Sequence, residues 1–154
     1  MIQSEKVVVT VSRDGYVKRV SMRSFTASEG TVTGKKEGDE LIGSIPCDTL
    51  DTLLLFTSKG NYAYLPVWQI EEAKWKDNGM HLNKVIRIDG DDKIQNVILV
   101  NNFDTYAWII TIASNGLIKK TPVKDWMLQR NSRVTTAMNI APNAELSAAF
   151  VCYE

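Results

Sequence analysis

The 154-residue sequence predicts an all-β fold made of propeller-like blades, with about four antiparallel strands to a blade and about three blades in the chain. Three observations predict it. One strand–turn–strand pattern recurs three times, its copies stand 45 and then 56 residues apart, and no window carries a helical period of useful length. Repeats of that length, each with room for about four strands, fit the arithmetic of blades.

The copies align on a central glycine: Val8 to Phe25 around Gly15, Leu53 to Ile70 around Gly60, and Ile109 to Trp126 around Gly116. Apolar pairs precede it (Val8-Val9, Leu53-Leu54, Ile109-Ile110), followed by Val11, Phe56 and Ile112 four positions before the glycine. Val17, Tyr62 and Ile118 stand two after it, and Phe25, Ile70 and Trp126 ten after it. The first arms are rich in β-branched and large apolar side chains, as strands are. Asp14-Gly15, Lys59-Gly60 and Asn115-Gly116 supply the turns, because a tight hairpin needs a positive φ that glycine reaches without strain. Pro66 and Pro122 end two of the second arms by removing a ladder donor. The alternative arrangement is three unrelated hairpins in a sandwich.

Between the hairpins, residues 40–45, 84–88, 94–100 and 148–153 read as further strands, bounded by polar turns such as Asp89-Gly90-Asp91-Asp92. Blade boundaries are expected at roughly 5–48, 49–100 and 101–150. Residues 148–152 read as the opening strand of a fourth unit, which makes the chain a piece of a longer protein.

Composition excludes several classes. Hydrophobic residues make up 44% of the chain and charged ones 23%, a balance that supports a packed core. No apolar run approaches the roughly 20 residues of a membrane span, and the start of the chain lacks a secretory pattern. Cys47 and Cys152 lie in no metal-ligand spacing and are expected as free thiols in a reducing cytoplasm. His81 has no partner placed by any motif, and the Asp89–Asp92 turn lacks the ligand spacing of a calcium loop. No P-loop or dinucleotide fingerprint occurs. No catalytic residue, metal or cofactor is expected.

Lys plus Arg and Asp plus Glu number 18 each, so any polyanion-binding edge must come from charge segregated in space. The pairs three and four positions after each glycine are Lys18-Arg19, Ala63-Tyr64 and Lys119-Lys120. Strand alternation sends one member of each pair to either face, so one would project from the rim toward phosphates. Arg13 and Lys59 sit at turn tips, and Arg23 and Lys124 share the eighth position after the glycine. Lys35 and Lys36 complete the DNA-binding candidates, with Lys74, Lys76, Arg130 and Arg133 as auxiliaries. Each taken singly also reads as plain solvated charge. The second copy, with Tyr64 in a packing role, is expected to contact DNA least. Trp68 and Trp126 read as packing between blades, and the acidic clusters read as lying in the turns between blades and not on hairpin arms.

Three segments carry a resemblance: Gly15 to Phe25 (GYVKRVSMRSF), Trp75 to Asn83 (WKDNGMHLN) and Asn115 to Thr121 (NGLIKKT). Together they resemble the C-terminal domain of bacterial type IIA topoisomerase A subunits. That resemblance implies a β-pinwheel whose rim binds and bends duplex DNA. It implies as partners duplex DNA, the ATPase B subunit of the enzyme and the catalytic N-terminal part of the same polypeptide, in a bacterial cytoplasm at the nucleoid. Ala27 to Lys36 occupies the place where gyrase A subunits carry a QRRGGKG box, and it has no Gln-Arg-Arg run. The resemblance therefore points to the topoisomerase IV branch, which decatenates and relaxes DNA, over the DNA-wrapping gyrase branch. No tyrosine stands in the Arg-Tyr context of strand cleavage, so the chain itself is expected to be non-catalytic. Two rivals stay open: a propeller used as a protein-interaction platform, and an enzyme with a site at the propeller centre.

Overall fold

A computed structural model describes residues 2–28 and 31–153. In chain order the elements are β1 (Lys6–Ser12), β2 (Tyr16–Ser21), α1 (Met22–Ser28), β3 (Leu41–Asp48), β4 (Thr52–Thr57), β5 (Asn61–Pro66), β6 (Met80–His81), β7 (Ile94–Val100), β8 (Trp108–Ala113), β9 (Ile118–Pro122), β10 (Thr135–Thr136) and β11 (Leu146–Cys152). They form three antiparallel sheets, ordered β3-β1-β2-β6, β10-β5-β4-β7 and β11-β8-β9. The three repeats are the hairpins β1-β2, β4-β5 and β8-β9. Their turn glycines have φ of 98°, 87° and 91°, the conformation that put glycine there.

A third strand completes the inner side of each sheet: β3 on β1, β7 on β4 and β11 on β8. Strand β11 therefore closes the third sheet and does not open a fourth unit. The outer strand is lent by the following repeat. Strand β6 pairs with β2 of the first sheet, Tyr16 opposite His81, and β10 pairs with β5 of the second, Asn61 opposite Thr136. Among the described residues no strand covers the outer edge of β9. Ile118 is consequently 66% exposed, while its counterparts Val17 and Tyr62 are 0% and 3% exposed.

Two expectations about local structure are corrected. Residues 84–88 form no strand: Leu82–Lys84 is a 3₁₀ turn, with the Val85 and Ile86 amides both bonded to the Leu82 carbonyl. Asn83 accepts from the Ile88 amide, a local bond that competes with ladder pairing. A short helix, α1, follows β2, started by the Ser21 hydroxyl accepting from the Ser24 amide. Seven residues are too few to show a helical period.

The blades pack face to face through two cores, and β4 belongs to both. Leu53 and Leu55 point into the first core with Val7, Val9, Val11 and Leu65, while Leu54 and Phe56 point into the second with Ile109, Trp126 and Leu146. All six residues of β4 are buried, which is why that strand reads as a continuous apolar run. Trp126 joins the second and third repeats. Its ring centroid lies 5.4 Å from Phe56 and 4.9 Å from Tyr62, and the Tyr62 hydroxyl donates to the Trp126 carbonyl at 3.0 Å. Trp68 does not share this role; it is 45% exposed on the turn after Pro66.

Candidate nucleic-acid interface

The Lys18-Arg19 pair divides between two faces, and the division removes the lysine from solvent. Lys18 is fully buried. Its ammonium donates to the Trp75 carbonyl and, at 2.6 Å, to the Asp77 carbonyl, and lies 5.3 Å from the centre of the Trp75 ring. Burial pulls its pKa down to about 8, against the charge of Asp77. Lys18 is thus a staple that holds the loop of the next repeat, and the expectation of a phosphate contact there is corrected. Arg19 is half-buried. Its backbone bonds to Glu71 and Ala73, and its Nε is buried with no partner among the described residues.

Lys59 is also corrected. At the tip of the second hairpin its ammonium lies 2.7 Å from Asp91 and 3.8 Å from Asp89, and the hydrogen bond to Asp91 raises its pKa. The acids at 37–40 and 89–92 lie in turns off the hairpin arms, as expected, and two of them reach across to cap hairpin tips. Asp92 accepts from the Lys59 amide at 2.9 Å, and Asp39 accepts from the Asp14 amide at 3.0 Å. Burial pushes the Asp39 carboxyl up, but hydrogen bonds from Ser12 and from the Asp14 and Glu40 amides, with Lys35 nearby, hold it below its ordinary value. The signal was present in the sequence: Asp39-Glu40-Leu41 and Asp92-Lys93-Ile94 each place an acid just before the third strand. The third repeat has Ala144 in that position and lacks the acid.

The other first-repeat candidates are exposed. Arg13 sits at the hairpin tip and Arg23 on α1, and neither forms an ion pair with a described residue. The Lys35 ammonium donates to the Asp39 carbonyl at 3.0 Å. Lys36 lies 5.0 Å from the Tyr16 ring centre, and the Tyr16 side chain raises its pKa. Tyr64 packs against Phe103 with ring centres 5.6 Å apart.

In the third blade Lys119 and Lys120 divide between the two faces of β9, Lys119 toward Ala137 and Lys120 toward Trp108, where Lys124 also stands. Lys119, Lys120 and Lys124 are all exposed. The Lys119 ammonium donates to the Ala137 carbonyl at 3.2 Å, and the Lys120 ammonium lies 4.6 Å over the Trp108 ring. Lys124 lines a hollow of about 310 Å³ with Asp104, Tyr106 and Trp108. Tyr106, which no sequence signal marked, is 83% exposed and meets Trp108 edge-on, ring centres 4.9 Å apart. It precedes β8 and belongs to no repeat position, so no period could find it. The blade thus presents cations beside a half-buried Trp108 and an exposed Tyr106.

His81 is a structural histidine. Its Nδ1 accepts from the Asn83 amide at 3.1 Å, which makes Nε2 the donor to the Asp14 carbonyl at 2.9 Å. Among the described residues no group of His, Cys, Asp and Glu is placed to hold a metal, and no helix is long and apolar enough to cross a membrane.

Comparison with known proteins matches this chain to the family model described as DNA gyrase C-terminal domain, beta-propeller, over residues 6–28, 51–101 and 107–152. It is 42% identical over 146 residues to the A subunit of DNA topoisomerase 4 from Bacillus subtilis (strain 168), and 36% identical over 146 residues to the protein of that name from Staphylococcus epidermidis. Each match covers 95% of this chain and 18% of the relative, so the chain spans under a fifth of the curated relatives it matches. The crystal structure of the C-terminal domain of DNA topoisomerase IV superposes with a TM-score of 0.90 at 39% identity, covering 99% of this chain and 47% of that one. A DNA gyrase A C-terminal domain superposes with a TM-score of 0.70 at 15% identity, over 97% of this chain and 49% of that one, and shares the fold.

Proposed function

This chain belongs to the family of DNA gyrase C-terminal domains, and from that premise we propose that it is a non-catalytic module that holds duplex DNA by its phosphates. The parent protein would be a bacterial type II topoisomerase of the topoisomerase IV kind, working in the cytoplasm with its catalytic N-terminal part and an ATPase B subunit. The relatives' names and the missing Gln-Arg-Arg run support that branch. The module steers a DNA segment toward the catalytic part for decatenation and relaxation.

The observation that carries the reading is the third blade, where Lys120 and Lys124 stand exposed beside Trp108 and Tyr106. Cations spaced along a sheet edge release counterions from a phosphate backbone, a contact that depends on charge and not on base sequence. Spreading such contacts over several blades offsets the cost of curving the duplex, about 1–6 kcal/mol for a 20–30 bp site. At the tip of the second hairpin Asp89 and Asp91 hold Lys59, which makes that tip a poor phosphate contact.

The test is a salt titration of duplex binding by fluorescence anisotropy. The variant Lys120→Gln/Lys124→Gln is expected to flatten the slope of log K against log salt by about 1.8, at about 0.9 per phosphate contact. An unchanged slope refutes the reading. Binding that ignores salt favours a protein-interaction platform.

A further inference from the structure

We infer that Arg87, Arg130 and Arg133 form a phosphate clamp between the second and third repeats, around a hollow that the lysines of β9 do not line. The inference rests on the DNA-binding reading for its ligand and on the side chains themselves for its chemistry. Arg87 follows the 3₁₀ turn of the second repeat, and Arg133 lies just before β10, the strand that the third repeat lends to the second sheet. A parallel bridge holds the two side by side, with the Arg87 amide donating to the Ser132 carbonyl at 2.8 Å and the Val134 amide donating to the Arg87 carbonyl at 3.0 Å.

Residues paired across strands share a face, and like charges set opposite each other destabilise the pair. Neither arginine, nor Arg130, forms an ion pair with a described residue that would offset this cost. Instead all three are exposed around one hollow of about 530 Å³, which Ser132 and Thr135 also line. Planar guanidinium forks and hydroxyl donors converging on an open hollow suit a tetrahedral oxyanion, and arginine reads phosphate in a bidentate way that lysine does not. The ligand is a backbone phosphate of duplex DNA. Its binding would tie the connection of one repeat to that of the next, so that contact with DNA and the fit between blades become linked.

The test compares wild type, Arg87→Gln/Arg133→Gln and Arg87→Lys/Arg133→Lys for binding to a labelled 20 bp duplex and for thermal unfolding. The glutamine pair is expected to lose about tenfold in affinity at moderate salt and to flatten the salt slope by about 1, one phosphate's worth. With no anion present it is expected to melt at or above the wild-type temperature, because a repulsion has gone. The lysine pair is expected to keep the slope and lose affinity, since charge remains and the fork does not. Wild-type affinity and slope in the glutamine pair, with the Lys120→Gln/Lys124→Gln variant weakened, overturn the clamp and leave the DNA reading standing. Should the glutamine pair fail to fold, Arg130→Gln, outside the bridge, carries the same comparison with about half the loss. Sodium tripolyphosphate separates the clamp from DNA binding as such. It is expected to raise the melting temperature of wild type and not of the glutamine pair, and the absence of any rise in wild type counts against the clamp.

Discussion

Lys18→Ala separates two roles that the repeat pattern alone assigns to one position. The truncation removes three buried methylenes, about 2.4 kcal/mol at about 0.8 each. It also leaves the Trp75 and Asp77 carbonyls unpaired, at about 1–3 kcal/mol apiece. Release of a charge whose pKa is held at about 8 returns about 3 kcal/mol. The balance is a loss of about 3 kcal/mol in urea unfolding, or about 6–12 °C in melting temperature for a domain of this size. The salt slope for duplex DNA is expected to stay at the wild-type value, since the ammonium touches no phosphate. Lys18→Met keeps the stem and loses less. The pH dependence has a definite sign. Between about pH 8 and 10.5 the folded chain has released the Lys18 proton while the unfolded chain still holds it, so unfolding takes up a proton and stability rises with pH. Cys47, pushed up to about 11 by burial, gives the opposite slope from about pH 9 to 11, and the difference between wild type and Lys18→Met isolates the lysine. A Lys18→Ala variant of wild-type stability with a salt slope flatter by about 1 would refute the staple and restore the residue to the DNA surface.

Two further outcomes follow from the geometry. Gly60→Ala would bring a Cβ within 2.6 Å of the Met138 carbonyl oxygen at a φ of +87°, whereas at Gly116, φ +91°, a Cβ meets open space. Gly116→Ala is expected to cost about 1 kcal/mol of backbone strain and Gly60→Ala about 3 kcal/mol, because β10 must shift. Equal losses in urea unfolding would contradict the covered and uncovered edges. Cys47 is buried with its pKa pushed up to about 11, first by burial and then by Asp51 and Asp48, while Cys152 is half-buried. At pH 8 Cys152 is expected to react with a thiol reagent about 100-fold faster than Cys47, and two equally fast thiols would contradict the packing of β3 on β1.

The three hairpins were legible because a two-residue period and a turn glycine are local signals, and residues 94–100, bounded by a polar turn, form β7 as expected. The lent strands were not. Met80–His81 and Thr135–Thr136 are two residues long, and what makes them strands is the edge of a distant hairpin, which no local pattern contains. That loan is also why the basic pairs misled. Lys18 and Lys119 hold the same repeat position, yet one is buried under residues 75–77 and the other lies on an edge that no described strand covers. Arg87 and Arg133 stand 46 positions apart and meet only through the crossing of two repeats. Their pairing has no counterpart in any sequence period.

A net charge of zero argues mildly against a nucleic-acid binder, and the structure shows how such a chain can still offer a basic surface. Its acids are spent on turn geometry. Asp39 and Asp92 close hairpin tips through backbone amides, and Asp89 and Asp91 neutralise Lys59 beside one of them. Carboxylates fixed in these places form no ion pair with the arginines of the 87–133 bridge, which keep their charge for an external anion. Interactions between exposed charges fade beyond a Debye length of about 8–10 Å, which makes the local arrangement count and the total charge nearly irrelevant. Adding an acid tests the point: Lys124→Glu is expected to weaken duplex binding more than Arg13→Glu, because Arg13 shares its hairpin tip with Asp14 and Asp39, whereas Lys124 stands beside Tyr106 and Trp108.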